Sequence, residues 1–328
     1  MTSPDLSVVL VAAIGTETIG RTMACLREQT AHDRMEVLIV APSADLLDLD
    51  ALGQGRFASL RAVGVGPIRK RGEAAAKGIR EATAPIVALI EDHSFPRPGW
   101  AQAFLDAHAS GEWAGVGPRV NNANADATLS VVNFMLTYAS LSGPQEAGPR
   151  SLLAWHNTSY RRDLLVGYGD RLGDLLEWEG DLQGDLQARG FRLLLDPRAE
   201  TDHLNVSGLA STVRLHYLRG RMMGAARAER EAWPLWKRAA YIAGAPLFPI
   251  MQWRHIAGDV RRWGTSTAEI ARLFPSMALV FSVAAVGEAV GYAVGAGPSM
   301  DRWQTFELFR TRHLSARERE EWLASTAA

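Results

Sequence analysis

Several features are scarce or absent in this chain of 328 residues, and the first is cysteine, present only as Cys25. One thiol excludes an intrachain disulfide and any cysteine-clustered zinc or iron–sulfur site, and it is typical of a reducing compartment. Neither sign of charge is in excess, with 35 Lys and Arg against 36 Asp and Glu, which argues against a nucleic-acid partner. We also expect no signal peptide and no solenoid or propeller, because a basic-then-apolar leader and internal repeats are lacking.

What the sequence does contain is ordinary globular composition, with 47% hydrophobic and 22% charged residues. The length is enough to bury a sizeable core and to form one large or two smaller domains.

Short apolar runs alternate with helical patterns in the first third of the chain. Strands are predicted at 6–12, 35–40 and 86–90, and helices at 19–29 and 71–83. This alternation predicts an α/β protein with a mainly parallel sheet and flanking helices. Ligands of such sheets bind beyond the carboxyl ends of the strands.

A cluster of three polar residues, Glu91, Asp92 and His93, directly follows the strand predicted at 86–90. Two carboxylates and an imidazole can coordinate a divalent cation and, through it, a diphosphate that must leave during a reaction. The triplet alone is more typical of a polar turn of solvated acids, because acidic tripeptides are common.

A second acidic group, Glu177, Glu179 and Asp181, lies at the start of a helix predicted over 177–188. A carboxylate here could act as a general base. Acidic residues in a first helical turn also interact favourably with the helix dipole, so a purely structural role is open as well.

Three further side chains are candidates for ligand contacts. His203 follows an apolar strand and could contact a metal or a phosphate, or be a hydrogen-bonded strand-end histidine. The pair Arg161 and Arg162 could hold phosphates by bidentate hydrogen bonds, or could form a solvated helix start.

The composition changes after His203. Residues 205–270 carry ten Lys and Arg against four acids, interleaved with Trp, Tyr and Phe, and residues 275–297 carry only one charge, Glu288. The basic and aromatic stretch is typical of a face that meets an anionic membrane surface, and the apolar span is long enough to cross a bilayer. The other interpretation is a packed helical subdomain with Glu288 paired internally.

Taken in order, several segments resemble the family 2 glycosyltransferases, which have the GT-A fold. They are residues 6–12 (opening strand), 25–29 (first helix), 35–40 (second strand), 71–79 (Arg/Ala/Asn/Gly helix start), 84–93 (DxD strand), 96–100 (Pro-Gly-aromatic segment), 157–164 (before the acceptor-side helix), 177–190 (base helix) and 196–203 (strand ending in His). The resemblance covers roughly residues 5–205.

The resemblance implies roles for individual residues. The catalytic base would be Glu179, with Glu177 and Asp181 as rivals. Donor-binding residues would be Ala12, Ala13, Pro42, Arg71, Lys77, Glu91 and Asp92. Acceptor or phosphate contacts would be Asn157, Arg161 and Arg162, and metal ligands Asp92, His93 and His203.

The sequence departs from the family at three places. Residues 41–43 read Ala-Pro-Ser where an Asp usually reads the nucleobase, the DxD motif reads Glu91-Asp92-His93, and the Glu-Asp pair of the base helix aligns with Trp178-Glu179. The variant DxD motif is compatible with a site that prefers Mn²⁺ or needs no metal.

The resemblance therefore predicts a GT-A domain at 1–204 and a helical, basic, aromatic and apolar region at 205–328. The expected enzyme moves a sugar from a nucleotide-sugar donor to a lipid-linked or other glycan acceptor near the membrane, with inversion, using Mg²⁺ or Mn²⁺. We expect it in the cytoplasm, peripheral on the inner face of the membrane, in the synthesis of a cell envelope polysaccharide.

Two other functions compete with this one. A catalytically degenerate GT-A-like protein could bind a nucleotide sugar or act as a scaffold. A nucleotidyltransferase would need a Gly-rich loop with a basic residue after the first strand, and residues 13–16 supply little of it.

Overall fold

The computed structural model describes residues 3–262 and 266–326. The chain forms two compact units, and the first contains the residues up to Ala123 together with Leu141–Leu204. The second contains Asn124–Ser140 and Asn205–Ala324. Residues 124–140, which the sequence prediction assigned to the GT-A domain, thus pack with the C-terminal region. The boundary at 204/205 stays a prediction.

The first unit is built on a nine-stranded sheet. Its strands are β1 (Leu6–Val11), β2 (Met35–Ala41), β3 (Ser59–Gly64), β4 (Ile86–Ile90), β5 (Ser94–Pro96), β6 (Trp113–Asn122), β7 (Gly148–Pro149), β8 (Ser159–Arg161) and β9 (Arg192–His203). The spatial order is β3-β2-β1-β4-β8-β6-β9-β5, and β7 pairs with β9. Strands β1 to β4 are parallel, β6 and β9 are parallel, and β8 runs antiparallel between β4 and β6.

The central strands are buried on both faces. Every residue of β1 and β2 is buried, as expected of strands that lie between two layers of helices. Helix residues Ile19, Met23 and Phe104 belong to the same apolar core. The predicted α/β class, with a mainly parallel sheet and flanking helices, is confirmed.

The described residues also contain thirteen α-helices, which cover both units. They are α1 (Thr16–Arg27), α2 (Arg71–Glu81), α3 (Trp100–Ala109), α4 (Thr128–Tyr138), α5 (Arg162–Val166), α6 (Leu172–Glu177), α7 (Glu179–Ala188), α8 (Leu209–Arg230), α9 (Leu235–Ala243), α10 (Phe248–Arg262), α11 (Thr267–Val294), α12 (Ser299–Leu308) and α13 (Ala316–Thr326). The predicted helix 177–188 differs in one respect, because Trp178 separates α6 from α7.

The second unit is helical, as the sequence predicts for the C-terminal region. Its two longest helices, α8 and α11, pack through four glycines that let the backbones approach closely. A Cβ on Gly287 would lie 2.3 Å from the carbonyl oxygen of Tyr217, and one on Gly220 would lie 2.3 Å from that of Ala284. A Cβ on Gly224 or on Gly291 would likewise lie within 2.5 Å of a backbone oxygen of the other helix.

Helix α11 contains most of the predicted apolar span 275–297. It is long and apolar enough to cross a membrane, and 44% of its most apolar window is buried inside the protein. Met277 and Phe281 pack against Val132 and Met135 of α4. The charge of Glu288 is paired with Arg227, whose Nη1 lies 3.2 Å from Glu288 Oε2.

We predict that the glycine contact between α8 and α11 limits the stability of the second unit. Gly287→Ala should lower the free energy of unfolding by about 1–3 kcal/mol, because the new methyl group overlaps a backbone oxygen. The matched control is Gly20→Ala in α1, where nothing lies within 4 Å of the new Cβ. That change should raise stability by up to about 1 kcal/mol. Denaturant unfolding measures both, and equal effects of the two substitutions would contradict the prediction.

Candidate active site

The polar triplet predicted at the end of β4 lies at the carboxyl edge of the sheet and is buried. Glu91, Asp92 and His93 are 2%, 6% and 0% exposed. The chain then turns, with the N–H of Ser94 donating to the carbonyl of Glu91, and enters β5. Strand β5 pairs antiparallel with β9 so that Ser94 lies opposite His203. This register brings the rings of His93 and His203 to a centroid distance of 4.9 Å.

Glu91, His93 and His203 form a group that could hold a metal ion. One ligand atom from each lies within 4.8 Å of the others. Glu91 Oε2 is 3.2 Å from His203 Nε2, and Glu91 Oε1 is 3.6 Å from His93 Nε2. One carboxylate and two imidazoles suit a divalent transition metal such as Mn²⁺ better than Mg²⁺, which prefers oxygen ligands.

Asp92 takes a different position from the one the resemblance implies. Its Oδ1 lies 2.6 Å from His93 Nδ1, so it orients the ring of His93 and leaves Nε2 to face Glu91. A carboxylate behind a metal-binding histidine fixes the tautomer and raises the basicity of the ligating nitrogen. Glu91, which the sequence analysis places among the donor-binding residues, lies with the two histidines, and its role in donor binding stays a prediction.

The carboxylate of Glu91 is held by several groups. Asn157 Nδ2 donates to Glu91 Oε2 at 2.8 Å, and Arg71 Nη1 lies 3.7 Å from Glu91 Oε1. Burial alone would raise the pKa of Glu91. The neighbouring His93, Arg71 and His203 lower it by more than burial raises it, so this pKa lies well below its ordinary range. Glu91 therefore stays ionised and ready to bind a cation.

Glu179 lies at the N-terminus of α7 and is fully buried. It accepts hydrogen bonds from the backbone N–H of His156 and from the hydroxyl of Tyr160. Gln183 in turn donates to Tyr160 Oη at 2.9 Å. Burial raises the pKa of Glu179 to about 7, although these hydrogen bonds oppose the increase. A carboxylate with this pKa can exchange a proton near neutral pH.

Two consecutive residues connect the two acidic sites. The backbone N–H of His156 binds Glu179, and the side chain of Asn157 binds Glu91. His156 has a φ of 55°, in the left-handed region that side chains other than glycine rarely adopt. Burial and the charge of Arg71 lower the pKa of His156 to about 3, so its ring is neutral. His156 directly precedes the segment 157–164, and no role for it is predicted from the sequence.

The two rival acids have other surroundings. Glu177 Oε1 accepts the N–H of Gly72 at 2.9 Å, which links the end of α6 to the start of α2. Asp181 is exposed on α7. Neither is as buried as Glu179.

The predicted donor-binding residues gather at the same edge of the sheet as Glu91. Ala12 and Pro42 follow the parallel strands β1 and β2, and Ala13 comes next along the chain. Arg71 begins α2, and its Nη2 donates to the carbonyl of Ile90 at 3.2 Å. Lys77 is exposed, with Nζ 3.5 Å from the carbonyl of Val65 just after β3.

Arg161 and Arg162 are not brought to this edge. Arg161 pairs with Ile86 at the amino end of β4, about 16 Å of strand away from Glu91. Arg161 bonds to Asp163 at 2.7 Å, and Arg162 donates to the carbonyl of Arg80 at 3.0 Å. They line a separate cavity of about 600 Å³.

The surroundings of Glu179 also include Tyr160, Gln183 and two tryptophans. The sequence analysis predicts no role for these four residues. The half-buried rings of Trp155 and Trp178 lie 4.6 Å apart. Their contact depends on the break between α6 and α7, which no pattern in the sequence marks. Only the adjacency of Trp178 and Glu179 could have suggested it.

Comparison with known proteins gives matches among solved structures only. No family model and no curated protein matches the sequence. Solved structures that are similar include GalNAc-T7 with UDP, GalNAc and Mn²⁺ (13% identity, 61% of this chain and 43% of that one, TM-score 0.47). Another is the mannosyltransferase PcManGT from Pyrobaculum calidifontis with GDP-Man and Mn²⁺ (15% identity, 100% of this chain and 87% of that one, TM-score 0.49).

A third similar structure is S. aureus TarS, at 13% identity and a TM-score of 0.44. The match covers 68% of this chain and 40% of the TarS chain. The chain thus spans less than half of GalNAc-T7 and of TarS. With identities of 15% or less and TM-scores below 0.5, the case for a function depends on the side chains of the site itself.

We predict that the group of Glu91, His93 and His203 binds Mn²⁺ more tightly than Mg²⁺. His93→Ala or His203→Ala should remove measurable Mn²⁺ binding, because each deletes one of three ligands. Asp92→Asn should weaken it about 10- to 100-fold, as expected for a residue behind a ligand. Equilibrium dialysis measures these affinities.

The matched control is His32→Ala, which removes a half-buried histidine that belongs to no such group. Its Mn²⁺ affinity should equal that of the unchanged protein. Undiminished binding in both His93→Ala and His203→Ala would rule out this cation site.

Proposed function

We propose that the protein is an inverting glycosyltransferase that moves a sugar from a nucleotide-sugar donor to a hydroxyl group of a glycan or lipid-linked acceptor. The observation that carries the proposal is that two consecutive residues, His156 and Asn157, hydrogen-bond to two carboxylates with different pKa values, Glu179 and Glu91. Glu91 is ionised within a group of metal-binding type, and Glu179 has a pKa of about 7. Inverting transfer needs these two functions on opposite sides of the sugar.

Glu179 supplies the base in this proposal. The acceptor oxygen forms a bond to the anomeric carbon of the donor sugar while the bond from that carbon to the diphosphate oxygen breaks. The acceptor proton passes to a carboxylate oxygen of Glu179. Tyr160 keeps its own proton, because burial and Glu179 raise its pKa well above the ordinary value, and so it remains a donor that positions the carboxylate.

Glu91, His93 and His203 would hold the cation, with Asp92 fixing the ring of His93. When bound, a divalent cation neutralises the charge that develops on the departing diphosphate. Arg71 and Lys77, near the same edge of the sheet, add positive charge for the phosphates. The Ala-Pro-Ser at residues 41–43 leaves no carboxylate there to read a nucleobase.

One observation favours a second candidate, a nucleotide-sugar-binding or scaffold protein without activity. Glu179 is 0% exposed, and both its oxygens accept hydrogen bonds. As a base it must exchange one of these partners for the acceptor hydroxyl. Trp178 directly precedes Glu179, and its half-buried ring lies 4.6 Å from that of Trp155. In this proposal these rings move to admit the acceptor.

We predict that Glu179→Gln lowers donor-dependent turnover by about two to four orders of magnitude, the range expected for loss of a general base. Donor affinity should change little, since the base acts on the acceptor. In the unchanged protein, turnover should rise with pH, reach half its maximum near pH 7 and level off above that, because only ionised Glu179 accepts a proton. Turnover and its pH dependence are measured as release of the nucleoside diphosphate from a panel of nucleotide-sugar donors in the presence of Mn²⁺.

Asp181→Asn serves as the matched control, since it changes an exposed acid two residues away. Its turnover and pH profile should be unchanged. Loss of turnover in Asp181→Asn or Glu177→Gln instead would move the base to that residue. Donor binding without turnover in the unchanged protein would favour the scaffold function.

Exposed apolar side chains in the second unit support a membrane-proximal acceptor. Helix α9 has no buried residue, with Leu235 83% and Trp236 73% exposed. Ile250 and Met251 of α10 are 60% and 66% exposed. Apolar residues left outward on an amphipathic helix, with basic residues around them, are typical of interfacial membrane binding.

The proposed location is therefore the inner face of the cell membrane, with the protein peripheral and the acceptor within reach of the bilayer. Lys237, Arg238 and Arg254 belong to the same helices α9 and α10, and basic residues near an anionic surface add about 1 kcal/mol each. A role in the synthesis of a cell envelope polysaccharide is part of this proposal.

We predict that the full chain floats with anionic vesicles at low salt and is released as salt rises. The double variant Trp236→Glu, Ile250→Glu should lose most of this binding, because it places two carboxylates on the apolar face of α9 and α10. Leu46→Glu, at a residue of the first unit that is 47% exposed, should bind as the unchanged protein does. If the unchanged protein stays in the soluble fraction at every salt concentration, a soluble acceptor is indicated.

A further inference from the structure

The second unit contains two adjoining cavities between α8, α9, α10 and α11. The inner one, of about 160 Å³, is lined by Arg219, Phe281 and Gln252 among others. The outer one, of about 370 Å³, is lined by Tyr241, Leu247 and other apolar residues. Both are lined by Arg227, Phe248 and Glu288, so they meet at these side chains.

The inner cavity contains a cation without a counter-ion. Among the side chains that the structure describes, no carboxylate forms an ion pair with Arg219, and no hydrogen bond to it is found. Burial lowers the pKa of the Arg219 guanidinium from its ordinary value. Arg219 is half-buried. A partly desolvated guanidinium is stabilised by an accompanying anion, so Arg219 can bind one.

The other charges at the cavity are already compensated. Arg227 Nη1 lies 3.2 Å from Glu288 Oε2, and the hydroxyl of Tyr292 donates to the same oxygen at 2.8 Å. His216 is neutral, because burial lowers its pKa to about 3. Among the described side chains that line this cavity, Arg219 is therefore the one positive charge without a carboxylate partner.

The outer cavity opens towards apolar surface. Leu247 and Met251 line it and are 59% and 66% exposed, and Tyr241 is 45% exposed. A volume of this size is within the usual range for small-molecule pockets, about 300–1,000 Å³. The polarity is thus graded from a cation inside to apolar side chains at the mouth.

We infer that these two cavities bind the phosphate end of a lipid phosphate, with the phosphate at Arg219 and the first part of the hydrocarbon chain along Tyr241, Leu247 and Met251. The geometry that supports this is the unpaired guanidinium at the inner end and the apolar outer end. The assignment of this lipid as the acceptor of sugar transfer rests on the proposed function, whereas the binding site itself does not.

The test uses dodecyl phosphate below its micelle concentration as the probe, with the full chain and no donor or metal. Dodecanol and inorganic phosphate separate the contribution of the chain from that of the head group. Isothermal titration calorimetry gives the affinities. The variants are Arg219→Gln, Arg219→Lys and Met251→Glu, with Arg230→Gln, an exposed arginine of the same helix, as the matched control.

Dodecyl phosphate should bind at least tenfold more tightly than dodecanol or phosphate alone. Arg219→Gln and Met251→Glu should each weaken it at least tenfold, Arg219→Lys should retain part of the affinity, and Arg230→Gln should not change it. The melting temperature of Arg219→Gln should equal or exceed that of the unchanged protein, because the variant removes an uncompensated charge.

Three results would overturn the inference. They are equal affinity for dodecyl phosphate and dodecanol, equal binding by Arg219→Gln and Arg230→Gln, and a lowered melting temperature of Arg219→Gln, which would make Arg219 a structural residue. Inorganic phosphate binding as tightly as dodecyl phosphate would identify a free-phosphate site instead. Since none of these measurements involves turnover, they are independent of the Glu179→Gln experiment, and either proposal can fail alone.

Discussion

The difference in charge between two buried carboxylates is the constraint on which the candidate site depends. Two ionised carboxylates near each other in a buried site repel, so the protein must stabilise one and leave the other near neutrality. Glu91 has Arg71 and imidazoles beside it, and its pKa is well below the ordinary range. Glu179 has uncharged donors, and the charge of Glu91 contributes to its raised pKa. These neighbours suit Glu91 to the cation site and Glu179 to the base of the proposed transfer.

The backbone at His156 maintains this arrangement. Because His156 adopts a left-handed conformation, its N–H points to Glu179 while the next side chain, Asn157, reaches Glu91. Such a conformation costs about 1–3 kcal/mol for a residue other than glycine and persists only where the surroundings impose it. The two hydrogen bonds, both to buried carboxylates, provide that compensation, and they set the relative position of the two acids.

Much of the fold and part of the candidate site could be predicted from the sequence, because they depend on the local pattern of apolar and polar residues. The apolar runs define β1, β2 and β4, and the residues just after these parallel strands, Glu91 among them, then gather at one edge of the sheet. Tertiary packing determines the rest. The contact of His93 with His203 depends on the β5–β9 register, and the separation of Arg161 from Glu91 depends on β8 running antiparallel to β4. Neither register can be read from a single sequence.

Hydropathy alone does not show which apolar helices of the second unit have exposed side chains. Helix α11 is the most apolar long segment, yet its glycines are used in the contact with α8, and Glu288 within it is paired with Arg227. Packing inside the second unit accounts for part of its composition, since 44% of its most apolar window is buried while Phe274, Val286 and Val294 are 53%, 57% and 69% exposed. Helix α9 is shorter and less apolar, but none of its residues is buried. An apolar side chain can take part in an interface only if packing leaves it exposed, so the exposed apolar residues of α9, α10 and α11, rather than hydropathy alone, decide which surfaces of the second unit suit the proposed lipid contact.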